Sequence, residues 1–519
     1  MKSPFLSLLL LPFLGVAQPA QKPVSSNRTV ARQKNIIFIL SDDHRYDAMG
    51  FMNKIAGLQT PNLDRLARNG AHVQNAFVST ALCSPSRASI LSGQYAHTHK
   101  VVDNFAPLRP GLKFFPKYLQ EAGYQTAFLG KWHMGNAGDG PQPGFNYWLS
   151  FKGQGVYINP TFNINGKQVA HTDSSHVTDL LTDYALKWLD GREGGRDPKK
   201  PFMMYLSHKA VHANFMPAKR HRGKYANMPI NYPQSLYLTA TDTSKVFGPK
   251  PTLSPEQAAP NVNLKDMPNW VKKQRGSWHG VDYMYHGDIQ FNNFYHQYAE
   301  TLLGVDDSVG RVLQWLEDNG QLENTLIVYM GDNGFSFGER GLIDKRHMYE
   351  ESMRVPMLVH CPGTVKAGTK ITQIIQNVDV APTLMAYAGL PKPAQMQGNS
   401  FLSILAGQTT GTPDRPWKDR AFYEYYWEVD FPQTPTMFGV RTNQYKYIFN
   451  YGVWDTNELY DLKADPGEVN NLIRSPQHQD IAKNMRDQVF DWLESSGGMQ
   501  IPLNRVRQKR FDHIYKGEY

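Results

Sequence analysis

Short apolar runs that break off into hydrogen-bonding residues recur along the chain. Asn35–Leu40 runs into Ser41, Asp42, Asp43 and His44, and Gln125–Gly130 into Lys131, Trp132 and His133. Phe202–Ser207 runs into His208 and His212, Thr325–Met330 into Gly331, Asp332, Asn333 and Gly334, and Val355–His360 into a Cys-Pro-Gly turn. Continuous apolar runs of this kind mark buried parallel strands, whose carboxyl ends form the site. Between them, helical spacing of apolar residues covers Ser175–Leu189, Tyr298–Leu316 and Val378–Ala388. The alternation predicts an α/β fold with a large mixed, mostly parallel sheet sandwiched by helices. After about residue 405 the texture turns aromatic and β-prone, over Ala421–Trp427, Phe438–Thr442 and Tyr445–Phe449, with a last helix over Gln479–Leu493. That part reads as a smaller antiparallel sheet plus one helix. The expected organisation is a leader at 1–17, a main domain at 18–405 and an α+β subdomain at 406–519.

The leader rests on Lys2, the apolar run Phe5–Val16 and the small-residue step at Ala17, the pattern of an export signal. The run is too short to span a bilayer, and no later stretch of about 20 apolar residues exists, so no integral membrane segment is expected. No Cys directly follows the run, which argues against a lipid anchor and for a secreted or periplasmic protein. The 519 residues are 41% apolar and 19% charged, which excludes a disordered acidic chain and a rod. The two cysteines exclude a disulfide scaffold; Cys361 sits in a strand pattern and reads as a core thiol. The formal charge is +9, and residues 214–281, rich in Pro, Trp and Tyr, hold ten Lys/Arg against three Asp/Glu. This basic aromatic insertion suits polyanions and sugars, although a merely solvated loop accounts for it equally well. No nucleic-acid motif accompanies the charge.

The segment Cys83-Ser-Pro-Ser-Arg87 puts a thiol two residues before a Pro that can open a helix. A group at Cys83 then faces the positive end of that helix, where an anion is favoured. Alone, the pattern fits a buried structural Cys as well.

With its surroundings the chain resembles the formylglycine-dependent sulfatases of the alkaline phosphatase superfamily over nearly its whole length. The landmarks stand in order: Ser41-Asp42-Asp43; CSPSR…LSG from Cys83 to Gly93; Gly130-Lys-Trp-His-Met-Gly135; Ser207-His-Lys-Ala-Val-His212; Gly331-Asp-Asn-Gly334; Tyr349-Glu-Glu-Ser-Met-Arg-Val-Pro356; Asp379-Val-Ala-Pro-Thr383; and Glu458-Leu-Tyr-Asp-Leu462, followed by Asp465-Pro-Gly-Glu468 and Asn471-Leu472. The resemblance implies a sulfuric ester hydrolase in which a maturation enzyme oxidises Cys83 to Cα-formylglycine. One hydroxyl of the hydrated aldehyde attacks sulfur, and the second later expels sulfate. It implies calcium, a hard cation suited to oxygen ligands, on Asp42, Asp43, Asp332 and Asn333 together with the residue-83 oxygen. Lys131 and Lys345 match the lysines that grip sulfate, and Arg87 and His133 those that orient formylglycine. His212 matches the histidine placed near the leaving oxygen, as a general acid. Arg346 competes with Lys345, and His208 and Lys209 with His212; the family pattern favours His212 through the turn from Ala213 to Pro217.

Two departures touch no ligand: Gln94 stands where many members have a basic residue, and Val211 where many have Pro. The expected substrates are sulfated carbohydrates, oligosaccharides or chain ends from polysaccharides, with Asp103 and Asn104 as candidates for sugar hydroxyls. The rivals are a phosphonate or phosphate ester hydrolase of the same superfamily and an inactive polysaccharide-binding protein.

Overall fold

The computed structural model describes Met1 and residues 34–135, 138–237, 264–281, 290–408, 411–412, 415–452 and 455–502. The expected leader and the middle of the basic insertion lie outside the described residues. The chain divides into the units Met1–Gln33 and Lys34–Tyr519, and all the elements below belong to the second.

Ten strands form the main sheet: β1 (Asn35–Ser41), β2 (Ala71–Val73), β3 (Gln125–Gly130), β4 (Tyr147–Ser150), β5 (Thr161–Ile164), β6 (Lys167–Ala170), β7 (Phe202–Ser207), β8 (Thr325–Gly331), β9 (Met357–His360) and β10 (Thr369–Ile371). Their order is β10-β2-β9-β8-β1-β7-β3-β4-β5-β6. The middle, from β8 to β4, is parallel throughout. Expected among the parallel strands, β9 instead runs antiparallel to β8. Beyond the tip of β8 the chain loops across the site and re-enters the sheet from that same end, which dictates the reversal.

The unbroken apolar runs have a simple cause. Ile36, Phe38 and Leu40 of β1 point into one core layer and Ile37 and Ile39 into the other, all fully buried. A strand between two covers has no polar face to show. One layer is closed by α1 (Pro61–Asn69), α3 (Val177–Leu189) and α4 (Phe291–Asp318), and the other by α2 (Cys83–Ser92) and α5 (Val380–Tyr387). That second layer continues into a four-stranded antiparallel sheet, β11 (Arg420–Tyr425), β12 (Met437–Thr442), β13 (Tyr445–Asn450) and β14 (Glu458–Asp461), with α6 (Gln479–Ser496) packed on it.

Helix α4 starts at Phe291, seven residues before the start expected from its Leu/Val spacing. Its first turns bury Phe291, Phe294 and Tyr295, which meet Tyr232, Phe215 and Phe337. Among the described residues no helix is long and apolar enough to cross a membrane.

Candidate active site

Parallel pairing sets Leu40 opposite Met330 and Ser41 opposite Gly331, so the two acidic tips emerge side by side. The Asp332 N–H donates to the Ser41 carbonyl at 3.0 Å, and the Asp42 N–H to the Ala210 carbonyl at 2.9 Å. Asp43 turns into the left-handed region at φ 53°, which lets its N–H donate to Asp332 Oδ1 at 3.1 Å. Asn333 Nδ2 donates to Asp43 Oδ1 at 2.7 Å. One oxygen each of Asp42, Asp43 and Asp332 lies within 4.8 Å of the others, all buried. Asn333 Oδ1 is buried with no hydrogen-bond donor among the described residues. Three crowded carboxylates and an unsatisfied amide oxygen are the donor set of a hard divalent cation, so the residues present fit one.

Helix α2 delivers the thiol. It begins at Cys83 itself, and Pro85 is its third residue rather than its opener. Pro fits there because first-turn N–H groups have no intrahelical acceptor. The Ser84 N–H is satisfied by Asn104 Oδ1 at 3.1 Å, and Ser84 Oγ donates to the His133 carbonyl. Cys83 is 0% exposed, its Sγ 3.4 Å from Asp42 Oδ1. Burial, with the Asp42 charge adding to it, pushes the thiol up to about 12. It is therefore protonated and a poor nucleophile as it stands.

Arg87, one turn along, ties the strand tips together. Its Nη2 meets Asp332 Oδ2 at 2.8 Å, and Nη1 donates to the Lys131 carbonyl and to Ser207 Oγ, each at 2.6 Å. Lys131 pairs with Asp42, and Lys345 meets both Asp43 oxygens at 2.5 and 2.6 Å. Arg346 turns away to Asp344 at 2.9 Å and Glu428 at 2.7 Å. His212 Nε2 stands 3.9 Å from Asp43 Oδ2, and its side chain, 17% exposed, opens toward solvent. Its Nδ1 lies 2.5 Å from the Ala213 carbonyl, the geometry of a donated N–H that leaves Nε2 free. His208 is wholly buried. His133 is buried at φ 52° with Nδ1 unpartnered among the described residues, and burial, then Lys131, hold its pKa well below the usual value.

Burial and the mutual repulsion of the carboxylates, against the pull of Lys345, raise Asp43 to about 7, and burial with Asp42 raises Asp332. The structure thus brings Asp42, Asp43, Cys83, Arg87, Lys131, His133, His212, Asp332, Asn333 and Lys345 to one place. Asp103 and Asn104 accept from backbone N–H groups beside it. Asn104 holds the start of α2, and Asp103 Oδ1 accepts the Phe105 N–H at 2.8 Å. Two neighbours escaped the sequence reading of roles. Gln154, on the turn after β4, accepts from Lys131, and Tyr157 donates to the His212 carbonyl at 2.7 Å. Lys209, weighed there against His212, lies over the Tyr157 ring. Gln154 and Tyr157 belong to no motif, so only the fold could bring them forward.

The sulfatase family model matches residues 34–390, which carry the whole of this constellation. The chain belongs to the sulfatase family. A second family model, N-sulphoglucosamine sulphohydrolase, C-terminal, matches residues 338–494 of this sulfatase. It is 34% identical to an N-acetylglucosamine-6-O-sulfatase of Bacteroides thetaiotaomicron, over 92% of this chain and 89% of that one. An N-acetylglucosamine-6-sulfatase of Capra hircus is 31% identical over 95% of this chain and 88% of its own. Among solved structures, BT4656 in complex with its substrate D-glucosamine-2-N,6-O-disulfate superposes with a TM-score of 0.75 at 32% identity, covering 91% of this chain and 100% of that one. The fold is the alkaline phosphatase-like one expected, and the protein is a sulfuric ester hydrolase.

Proposed function

We propose that this sulfatase is exported and removes the 6-O-sulfate from glucosamine units of sulfated glycans, through a formylglycine made from Cys83 by a maturation enzyme. The supporting observation is the position of Cys83 at the head of α2, 3.4 Å from Asp42 within three crowded carboxylates and the Asn333 amide oxygen. The sugar is inferred from the relatives, a bacterial and a mammalian protein both named for N-acetylglucosamine 6-sulfate.

Asp42, Asp43, Asp332 and Asn333 would hold calcium, which when bound supplies concentrated positive charge for an anionic substrate. Formylglycine, once formed, supplies a hydrated aldehyde as nucleophile in place of an inert thiol. Arg87 fixes the orientation of the helix that carries residue 83. Lys131 and Lys345 bring two ammonium groups to the sulfate oxygens, and Gln154 and Asp43 hold them in place. His212 keeps its Nδ1 proton on the Ala213 carbonyl and presents Nε2 to the ester oxygen. A bound anionic ester favours the imidazolium, whose second proton, on Nε2, passes to the leaving sugar alkoxide, otherwise a poor leaving group.

Mass spectrometry of the peptide containing residue 83, after co-expression with a formylglycine-generating enzyme, tests the nucleophile: an aldehyde is expected, and a persistent thiol in an active preparation refutes the reading. Sulfate release from a panel of regiodefined sulfated sugars, with the 6-phosphate of the same sugar alongside, tests the substrate. The 6-O-sulfated glucosamines should exceed all others, and preference for a 2-O-, 3-O- or 4-O-sulfate or for the phosphate rejects the assignment.

A further inference from the structure

Four lysines are buried among the described residues: Lys131, Lys209, Lys345 and Lys446. Three sit on carboxylates, Lys131 on Asp42, Lys345 on Asp43 and Lys446 on Glu350 and Glu468. Lys209 does not. Among the described residues its ammonium meets neither a carboxylate nor a hydrogen-bond acceptor; its neighbour is the face of the Tyr157 ring, 4.8 Å from the ring centre. A cation–π contact offsets only part of the cost of taking an ammonium out of water.

The backbone around Lys209 is fixed. The His208 N–H donates to the Leu40 carbonyl at 2.8 Å and the Val211 N–H to the Asp42 carbonyl at 2.7 Å, so the segment is stitched to the end of β1 on both sides of Lys209. The His212 N–H closes a turn on the Lys209 carbonyl at 3.0 Å, and Tyr157, under the ammonium, also holds the His212 carbonyl. Lys209, Tyr157 and His212 are therefore joined by one set of contacts. The charges that act on Lys209 are Lys131, Asp42, Asp43 and Lys345, the core of the site.

We propose that Lys209 is a further substrate-binding residue that contacts the sulfate group of the bound ester, completing with Lys131 and Lys345 a cradle of three ammonium groups. A sulfate ester supplies what this site lacks, an acceptor for the third cation. Lys131 and Lys345 spend part of their charge on Asp42 and Asp43, whereas that of Lys209 is uncommitted. Burial together with the two other ammonium groups lowers its affinity for a proton, and a bound anion reverses that trend. The inference rests on reading the cluster as the sulfate ester site.

The test uses binding as well as turnover. In a Cys83→Ala background, which leaves substrate intact, calorimetry measures the affinity for glucosamine 6-sulfate and for unsulfated glucosamine. Adding Lys209→Met should weaken glucosamine 6-sulfate roughly tenfold to hundredfold, the usual cost of losing a hydrogen bond to a charged group, and leave glucosamine unchanged. In the active enzyme, matured at residue 83, the same substitution should weaken inhibition by inorganic sulfate by a similar factor, and Lys209→Arg should restore at least a tenth of the lost kcat/KM. Should Lys209→Met not fold, Lys209→Gln serves in its place. If the Cys83→Ala protein binds no sulfated sugar, the reading of the site fails. If it binds glucosamine 6-sulfate and the Lys209 variants stay within twofold, only the role of Lys209 is overturned.

Discussion

Two buried clusters of charge in this sulfatase are built on opposite plans. At the tips of β1 and β8, three carboxylates face one another within 4.8 Å and the cations stand around them. Between the main sheet and the small one, the acids are interleaved with cations. Lys446 lies between Glu350 at 3.0 Å and Glu468 at 2.6 Å, Arg441 meets Glu350 at 3.2 Å, and Arg340 meets Glu351 at 2.7 Å. Burial and Asp42 raise Asp332, whereas Lys446, Arg441 and Arg354 overcome the cost of burial and hold Glu350 well below the usual carboxylate range. Equal burial therefore serves different ends. The interleaved cluster satisfies itself and fastens β12 and β13 to the segment at Glu350. The crowded one pairs each carboxylate with a cation yet leaves them facing one another, with Asn333 Oδ1 beside them lacking a donor among the described residues.

The same chemical change, carboxylate to amide, should separate the two. Asp332→Asn is expected to lower kcat/KM by about a thousandfold, in line with the loss of a preorganised charge at the reacting centre. Its unfolding free energy should shift by less than about 1 kcal/mol, since relief of repulsion from Asp42 and Asp43 offsets the weaker hold on Arg87. Steady-state kinetics with urea denaturation reads both, and a large stability loss with activity retained would reverse the assignment. Glu350→Gln should do the converse and cost about 3–5 kcal/mol of stability, because Arg441 loses its buried carboxylate and Lys446 keeps only Glu468 of its two. The kcat/KM of the protein that remains folded should stay within a few-fold of wild type.

A third measurement uses the cation. Calcium at 100 times its Kd should add about 2.7 kcal/mol to the unfolding free energy of the wild type and of Glu350→Gln. Scanning calorimetry should show this increment vanish in Asp332→Asn; an equal gain in all three would place the ion elsewhere.

The smallest effect per group concerns pH. Burial lowers His99, His208 and His347 to about 3 in the folded protein, against about 6.5 for an unfolded chain. Their contribution is fully present above about pH 6.5 and is lost as pH falls toward 3, with a slope of up to about 1.4 kcal/mol per pH unit for each. Urea titrations between pH 7 and pH 5 should show the decline, in Glu350→Gln as in wild type; a stability that rises on acidification contradicts it.

What the sequence reveals of this molecule follows the range of the forces involved. Strands β1, β3, β7 and β8 are legible because burial on both faces writes itself as an unbroken apolar run, and their polar ends announce the site. Short strands toward the sheet edge such as β5 and β6 escape, since four residues carry too little pattern. The first turns of α4 escape because Phe291, Phe294 and Tyr295 pack on neighbours distant in the chain and do not continue the Leu/Val repeat. Among site residues, those in motifs are readable. Gln154 and Tyr157 are not, as their place depends on where the turn after β4 lands. Adjacent residues part ways for the same reason: Lys345 meets Asp43 while Arg346 points to Glu428, a divergence that only packing decides.

The partnership of β1 with β8 also sets an order of events during synthesis. Asn333 grips Asp43 across 290 residues of chain. A nascent polypeptide that has reached residue 320 already carries its thiol and one pair of acids, but the opposite shore does not yet exist. In the finished protein residue 83 is sealed from solvent. Any visiting enzyme that alters that thiol has to arrive while the door is still being built.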